Sequence, residues 1–180
     1  YQGCCRHLVH PHDNTAIRVI NNHAVTFYTD LVQGIVYCNP KLAQEDFILV
    51  RKEGLFAYQL AVVVDDIAQN ISHIIRGSDL VEPTARQLSL FTLLKIHPPQ
   101  YGHVPLAITE NGYKLSKQNR TPAINIQEPQ PSLIAALTFL GQKPPVDLLH
   151  STVEEIINWA IANWSIRQVP KQQKIIYHST

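Results

Sequence analysis

Apolar residues along this chain fall into short strand-like runs over its first 110 positions and into helical spacing towards its end. The segments AIRVI (16–20) and AVTFY (24–28), divided by Asn21 and Asn22, predict two strands of a hairpin, because asparagines favour turns between β-rich stretches. DFILVR (46–51) predicts another strand, closed at a turn by Lys52, Glu53 and Gly54. LAVVV (60–64) is apolar without alternation and ends at Asp65 and Asp66, which predicts a strand covered on both faces, as in a parallel sheet flanked by helices. A second such strand is expected over residues 72–75, delivering Arg76, Gly77, Ser78 and Asp79 at its carboxyl end. Pro83 suits the first turn of a helix that carries Leu88, Phe91 and Leu94 and is broken by Pro98 and Pro99.

HVPLAI (103–108) leads into Glu110, Asn111 and Gly112 and returns through Tyr113, Lys114 and Leu115. Asn-Gly between two such stretches predicts a hairpin, so the KLSKQN segment (114–119) sits at the mouth of a defined turn. Residues 132–140 predict a helix stopped by Gly141, and Ser151 with Glu154 reads as the capping box of a last helix. On that helix Val153, Ile156, Ile157, Ala160, Ile161 and Trp164 share one stripe, expected to be a core face. The order of strand, polar loop and helix predicts an α/β fold resembling half of a doubly wound domain, with ligands at the carboxyl ends of its strands.

Composition narrows the classes. With 45% hydrophobic residues the chain can bury a core, and a net charge of +1 leaves nucleic-acid contact to local patches. No apolar run approaches the roughly 20 residues of a membrane-spanning helix, and no signal peptide opens the chain, so a cytoplasmic protein without a membrane partner is expected. Cys4, Cys5 and Cys38 make a poor disulfide framework. A chain that begins at Tyr1 and contains no methionine is expected to be part of something longer.

Two lysines flanking a serine on a tight turn have the charge to grip a polyphosphate; solvated surface lysines are the competing reading. Arg76 offers a fork matched to a carboxylate, or alternatively an ion pair with Asp79 or the paired aspartates. Tyr58 offers a phenol to a ligand, or packs beside the sheet. Asp65 and Asp66 suit Mg²⁺, or cap the following turn. Gly77 and Asp79 allow close backbone approach to a nucleotide and a contact to a ribose hydroxyl. His103 lies towards the nucleotide side, or is a hydrogen-bonded structural residue.

Residues 45–122, through EDFILVRKEGLFAYQLAVVVDD, IIRGSDLVEPTARQ, HVPLAI and KLSKQNRTPA, resemble the carboxyl-terminal half of the catalytic core of the glutamyl-tRNA synthetases, which are class I aminoacyl-tRNA synthetases. They resemble more closely the truncated branch of that family, the glutamyl-Q tRNA(Asp) synthetases, which attach glutamate to the queuosine base of tRNA(Asp). The likeness extends to the CRHL opening and the FLG-containing tail.

The resemblance implies the second half of a Rossmann-like catalytic domain with a β-rich insertion and a small helical appendage. Residues 1–45 would be the insertion, akin to an acceptor-binding region, 46–128 the catalytic half and 129–180 the appendage. KLSKQ corresponds to the signature loop written KMSKS. It implies Lys117 as the main phosphate contact, Lys114 assisting, Ser116 adding a donor and Leu115 packing inward. Arg76 and Tyr58 would hold glutamate. The implied substrates and cofactors are L-glutamate, ATP, Mg²⁺ and queuosine-bearing tRNA(Asp), handled by a monomer. Tyr1 and Cys5 fit the last two ligands of a structural zinc site whose first two cysteines are absent, so a disrupted site is expected.

The HIGH-type motif of the same family is not found, and His10-Pro11-His12-Asp13 does not replace it, because it lies at no strand-to-helix junction. The isolated chain is therefore expected to be inactive. Only residues 118–180 follow Lys117, too few for the large anticodon-binding region of an ordinary glutamyl-tRNA synthetase. A fragment of such a discriminating synthetase and a non-catalytic nucleotide- or tRNA-binding module remain the alternatives.

Overall fold

Asn21, expected at a solvent-facing turn, is buried, and its side-chain amide donates to the Ala43 carbonyl at 2.7 Å while its backbone N–H donates to Asp46 at 2.8 Å. That burial undoes the predicted hairpin. In the computed structural model, which describes residues 1, 3–7, 14–116 and 123–177, the chain passes through Asn21 into a separate sheet. Strand β1 (Ile17–Arg18) pairs antiparallel with β4 (Ile48–Val50), and β2 (Phe27–Asp30) pairs instead with β3 (Gly34–Tyr37). The isolated preference for a turn at two asparagines lost to satisfaction of a buried carboxylate, Asp46, whose backbone and side chain both take donors from this segment.

Two units divide the chain, one made of Tyr1–Asp30, Gly34–Ile75 and Leu80–Gly102 and the other of Leu31–Gln33, Arg76–Asp79 and His103–Thr180. In the first, a short helix α1 (Pro40–Ala43) is capped by Asn39, whose side chain accepts from Lys41 N–H at 3.0 Å. Helix α2 (Tyr58–Ala68) stands where residues 60–64 predict a strand. Val63 is fully buried there beside Val19, Phe47, Leu90 and Phe91, with Val62 and Ile67 packed on the same cluster. Val63 and Ile67 lie one turn apart, a helical spacing that continues past the apolar run and outweighs the β preference of three consecutive valines. Asp65 and Asp66 thus lie in the last turns of a helix, not at a strand's end, and their backbone carbonyls take the N–H groups of Gln69 and Ile71.

Helix α3 (Val81–Leu94) packs against α2, joined by Gln87 donating to Gln59 at 2.8 Å. It ends at Lys95 in left-handed geometry (φ 59°), with the Lys95 and Ile96 N–H groups turned back onto Thr92 and Phe91, ahead of the two prolines. The strand expected over 72–75 is β5 (His73–Gly77), so Arg76 lies in the strand itself. With β6 (Gln100–Val104) it completes a four-stranded sheet in the order β3-β2-β6-β5, where β2 and β6 are parallel and β2 and β3 antiparallel. The sheet is mixed, and the α/β class holds.

The second unit rests on β7 (Leu106–Ile108), which pairs in parallel with β8 (Lys174–Ile176), a strand with no counterpart in the predicted pattern. Helix α4 (Gln130–Phe139) ends as expected at Gly141, whose φ of +74° and N–H bond to Thr138 close the helix. The capping box of α5 (Val153–Asn163) uses Thr152 and Glu155, one residue on from the expected pair: Thr152 N–H donates to the Glu155 carboxylate at 2.7 Å and Glu155 N–H returns to Thr152 Oγ1. Of the expected core stripe, Ile156 is fully buried, whereas Val153, Ile157, Ile161 and Trp164 are exposed. No described helix is long and apolar enough to cross a membrane.

Gly141 is fixed by more than its φ. A Cβ there would lie 2.1 Å from the Gln168 carbonyl oxygen, and next to it buried Gln142 bonds Ser165 through both its amide groups. Gly141→Ala is expected to cost about 2 kcal/mol or more, combining left-handed strain with displaced backbone; an unchanged urea midpoint would refute this.

Candidate active site

The Asn-Gly turn holds as predicted. Gly112 has φ +81° and donates to Thr109, Thr109 N–H donates to the Tyr113 carbonyl, and Leu115 N–H donates to the Ala107 carbonyl at 2.9 Å. Lys114 thereby comes opposite Ile108 across an antiparallel bridge. Side chains alternate along this return strand. Lys114 points out and Leu115 turns half-buried into a cleft of about 460 Å³ walled by Val104, Ala107, Phe139 and Leu140, which is the inward packing expected of it. Ser116 is half-buried at the loop's start. Lys117, the expected principal phosphate contact, lies outside the described residues, as does the segment 10–13.

Lys114 Nζ donates to Asp79 Oδ2 at 2.7 Å. Both side chains are more than two-fifths exposed, so the pair is worth at most about 1 kcal/mol and a phosphate could displace the carboxylate cheaply. Asp79 sits in the 3₁₀ turn Ser78–Leu80 directly after β5. That turn is pinned by Ser78 Oγ, which donates to the Gln173 carbonyl at 2.5 Å, the same oxygen that accepts Leu106 N–H. Gly77 also leaves space inside the unit. A Cβ on it would lie 2.7 Å from Asp79 Oδ1 and 3.0 Å from Leu106 Cδ2, so its missing side chain makes room for the Asp79 carboxylate.

Arg76 is half-buried at the end of β5 and donates from Nε to His103 Nε2 at 3.1 Å. His103 is fully buried, and its carbonyl accepts from Gln33 Nε2 at 2.7 Å, which bears out the hydrogen-bonded reading of this histidine. The second unit therefore holds a half-buried guanidinium, a cation on the Asn-Gly turn's return and the acid that pairs with it. Tyr58 belongs to the first unit, where it opens α2 with its side chain half-exposed. The expected strand end and the Asn-Gly turn lead to Arg76 and Lys114. The Asp79 and His103 partnerships depend on distant segments and had no sequence signal beyond residue type.

Tyr1 and Cys5 do come together: Cys5 N–H donates to the Tyr1 hydroxyl at 2.8 Å, and the Cys4 and Cys5 sulfurs are 3.8 Å apart. Hydrogen bonding with the Cys5 side chain pushes the Tyr1 phenol above its ordinary pKa. Among the described residues there is no group of three or more His, Cys, Asp or Glu side chains placed to hold a metal ion. Their loop is anchored by Arg6, which clasps buried Asp46 through Nε at 2.6 Å and Nη2 at 2.5 Å.

A family profile described as "tRNA synthetases class I (E and Q), catalytic domain" matches residues 3–162. The chain belongs to this class I synthetase family. It is 57% identical over 180 residues to a protein of Colwellia psychrerythraea named glutamyl-Q tRNA(Asp) synthetase, covering 97% of this chain and 57% of the relative. Proteins of the same name from Escherichia coli O6:H1 and Photobacterium profundum are 51% and 46% identical over 95% and 100% of this chain, covering 56% and 58% of theirs. The chain thus spans a little under six-tenths of the length of these curated relatives. The crystal structure of a glutamate-tRNA synthetase from Elizabethkingia anophelis matches with a TM-score of 0.65 at 20% identity, over 89% of this chain and 36% of that one, a likeness of fold. In this family member the sequence-level resemblance to glutamyl-Q tRNA(Asp) synthetases is confirmed across nearly the whole chain.

The Arg6 guanidinium, with Asn21 N–H, holds the Asp46 carboxyl below its ordinary pKa. A depressed carboxylate contributes stability above its unfolded pKa, near 4, and loses it as pH falls through the folded value. The stability difference between the wild type and Asp46→Asn is therefore expected to be largest near neutrality and to shrink below about pH 4. Urea midpoints measured at several pH values test it; a difference independent of pH would count against the ion pair.

Proposed function

We propose that this chain belongs to an ATP-dependent glutamyl-Q tRNA(Asp) synthetase, a ligase that activates glutamate and transfers it to the queuosine base of tRNA(Asp). The observation that carries the reading is the 46–57% identity to relatives of that name over nearly all of the chain. The arrangement of Arg76, Asp79 and Lys114 within one unit supports it. Residues 1–45 belong to the insertion, 46–128 to the second half of the Rossmann-like domain and 129–180 to the appendage.

The chemistry follows from charge. The α-carboxylate of glutamate attacks the α-phosphorus of ATP, a P–O bond breaks, and pyrophosphate leaves with the developing negative charge. Ammonium groups at the signature loop stabilise that charge more in the transition state than in the ground state. Lys117 and Lys114 carry this task and Ser116 adds a donor; Mg²⁺ accompanying ATP would neutralise further phosphate charge. As ATP enters, Lys114 exchanges the Asp79 carboxylate for phosphate oxygens, and Asp79 becomes available to a ribose hydroxyl. Arg76 grips the substrate side-chain carboxylate and Tyr58 meets its backbone end. A hydroxyl of the queuosine cyclopentenediol then attacks the acyl carbon and AMP departs. Tyr1 and Cys5 supply two donors of a structural zinc set, and no step of the reaction passes through that metal.

In the full-length protein, Lys117→Ala is expected to lower the rate of glutamate-dependent ATP–pyrophosphate exchange by roughly 10²-fold. An unchanged rate would make Lys117 a solvated surface residue. Glutamylation of tRNA(Asp) is expected only when queuosine is present; equal charging without it, or charging of tRNA(Glu), sinks the assignment.

A further inference from the structure

We propose that Cys4 and Cys5 act together as a vicinal dithiol, a two-sulfur site for a thiophilic trivalent centre of the organoarsenical type; the inference stands apart from the function proposed above. Arg6 N–H donates to the Gly3 carbonyl at 3.0 Å, which closes a β-turn with Cys4 and Cys5 as its two corner residues. Cys5 N–H is held by the Tyr1 hydroxyl at 2.8 Å, and the Arg6 side chain anchors the turn to buried Asp46. Both cysteines are exposed and their sulfurs stand 3.8 Å apart, so the pair is presented to solvent on a backbone already fixed.

Adjacent Cα atoms are only about 3.8 Å apart, whereas an unstrained disulfide needs about 4.4–6.8 Å between them. The two sulfurs therefore resist closing on each other. A bridging atom removes that restriction. Two sulfurs bonded to one centre at about 2.3 Å, the length of a zinc–thiolate bond, lie about 3.4–3.8 Å apart for bond angles between about 95° and the tetrahedral value. The observed separation falls at the upper end of that span. A structural zinc ion takes four protein donors, and among the described residues no third His, Cys, Asp or Glu joins this pair in a metal-holding group. An arsenical carries its own third substituent and needs only the two sulfurs. Two As–S bonds form, the As=O bond breaks, and the two thiol protons leave with that oxygen as water, while arsenic stays trivalent throughout.

The full-length protein, reduced and dialysed against EDTA so that no other ion competes for the sulfurs, is titrated with phenylarsine oxide and mapped by mass spectrometry after iodoacetamide treatment. A single arsenical is expected to shield Cys4 and Cys5 together, to be released by the dithiol 2,3-dimercaptopropanol and to stay in place at an equal concentration of the monothiol 2-mercaptoethanol. Cys4→Ser and Cys5→Ser are each expected to weaken retention about 10²-fold or more, because the second As–S bond forms within the molecule at high effective concentration. Cys38→Ser, at a half-buried thiol outside the turn, should leave retention unchanged. Wild-type retention in Cys4→Ser or Cys5→Ser overturns the inference, as does its loss in Cys38→Ser. Alkylation of either turn thiol in the arsenical-loaded wild type, or ready release by the monothiol, overturns it too. Those last two criteria need no variant, so they hold whatever a substitution does to folding.

Discussion

Strand β7 is three residues long, yet the geometry of the second unit depends on its being paired on both edges. On one side it takes the parallel strand β8, extended by Tyr177 N–H onto the Ile108 carbonyl; on the other it takes the return of the Asn-Gly turn through Ala107 and Thr109. A strand this short has little stability alone. Pairing on both sides gives it a single register, and register decides which side chain after the Asn-Gly turn points where. A slip by one residue would turn Lys114 into the apolar cleft and Leu115 out to solvent.

The same economy governs the turn after β5. Arg76, Gly77, Ser78 and Asp79 are consecutive, and three of the four bond a distant partner: Arg76 to His103, Ser78 to the carbonyl before β8, Asp79 to Lys114. A Cβ at Gly77 would meet the Asp79 carboxylate. The Arg76 guanidinium is held by a buried ring nitrogen, whereas Lys114 is held by an exposed ion pair that solvent already weakens.

The first unit shows the opposite use of charge. Asp46 is buried and takes donors from Arg6 and from Arg18 and Asn21, so two segments distant from it in the chain converge on one acid just before β4. Glu45 beside it pairs with Arg86 from α3. Once these carboxylates are inside, leaving them unpaired would be costly, and the chain around Asn21 follows the donors rather than its own turn preference.

Local physics therefore made part of the protein legible in advance. The Asn-Gly hairpin, the strand carrying Arg76, the α3 helix behind Pro83, the α4 stop at Gly141 and the family motifs all depend on residues near one another in the chain, where propensity and pattern act directly. The outcomes that differed were set at a distance. Three valines became helical because Val63 and Ile67 share a core with Phe47 and Phe91. The 16–28 hairpin gave way to the needs of Asp46, and β8, the partnership of Asp79 with Lys114 and the bond from Arg76 to His103 join residues that no sequence period connects. Amino-acid order by itself determined the chemistry available and the family; only the tertiary structure decided which polar groups must satisfy one another, because the cost of burying them unpaired is felt only after the distant segments have met.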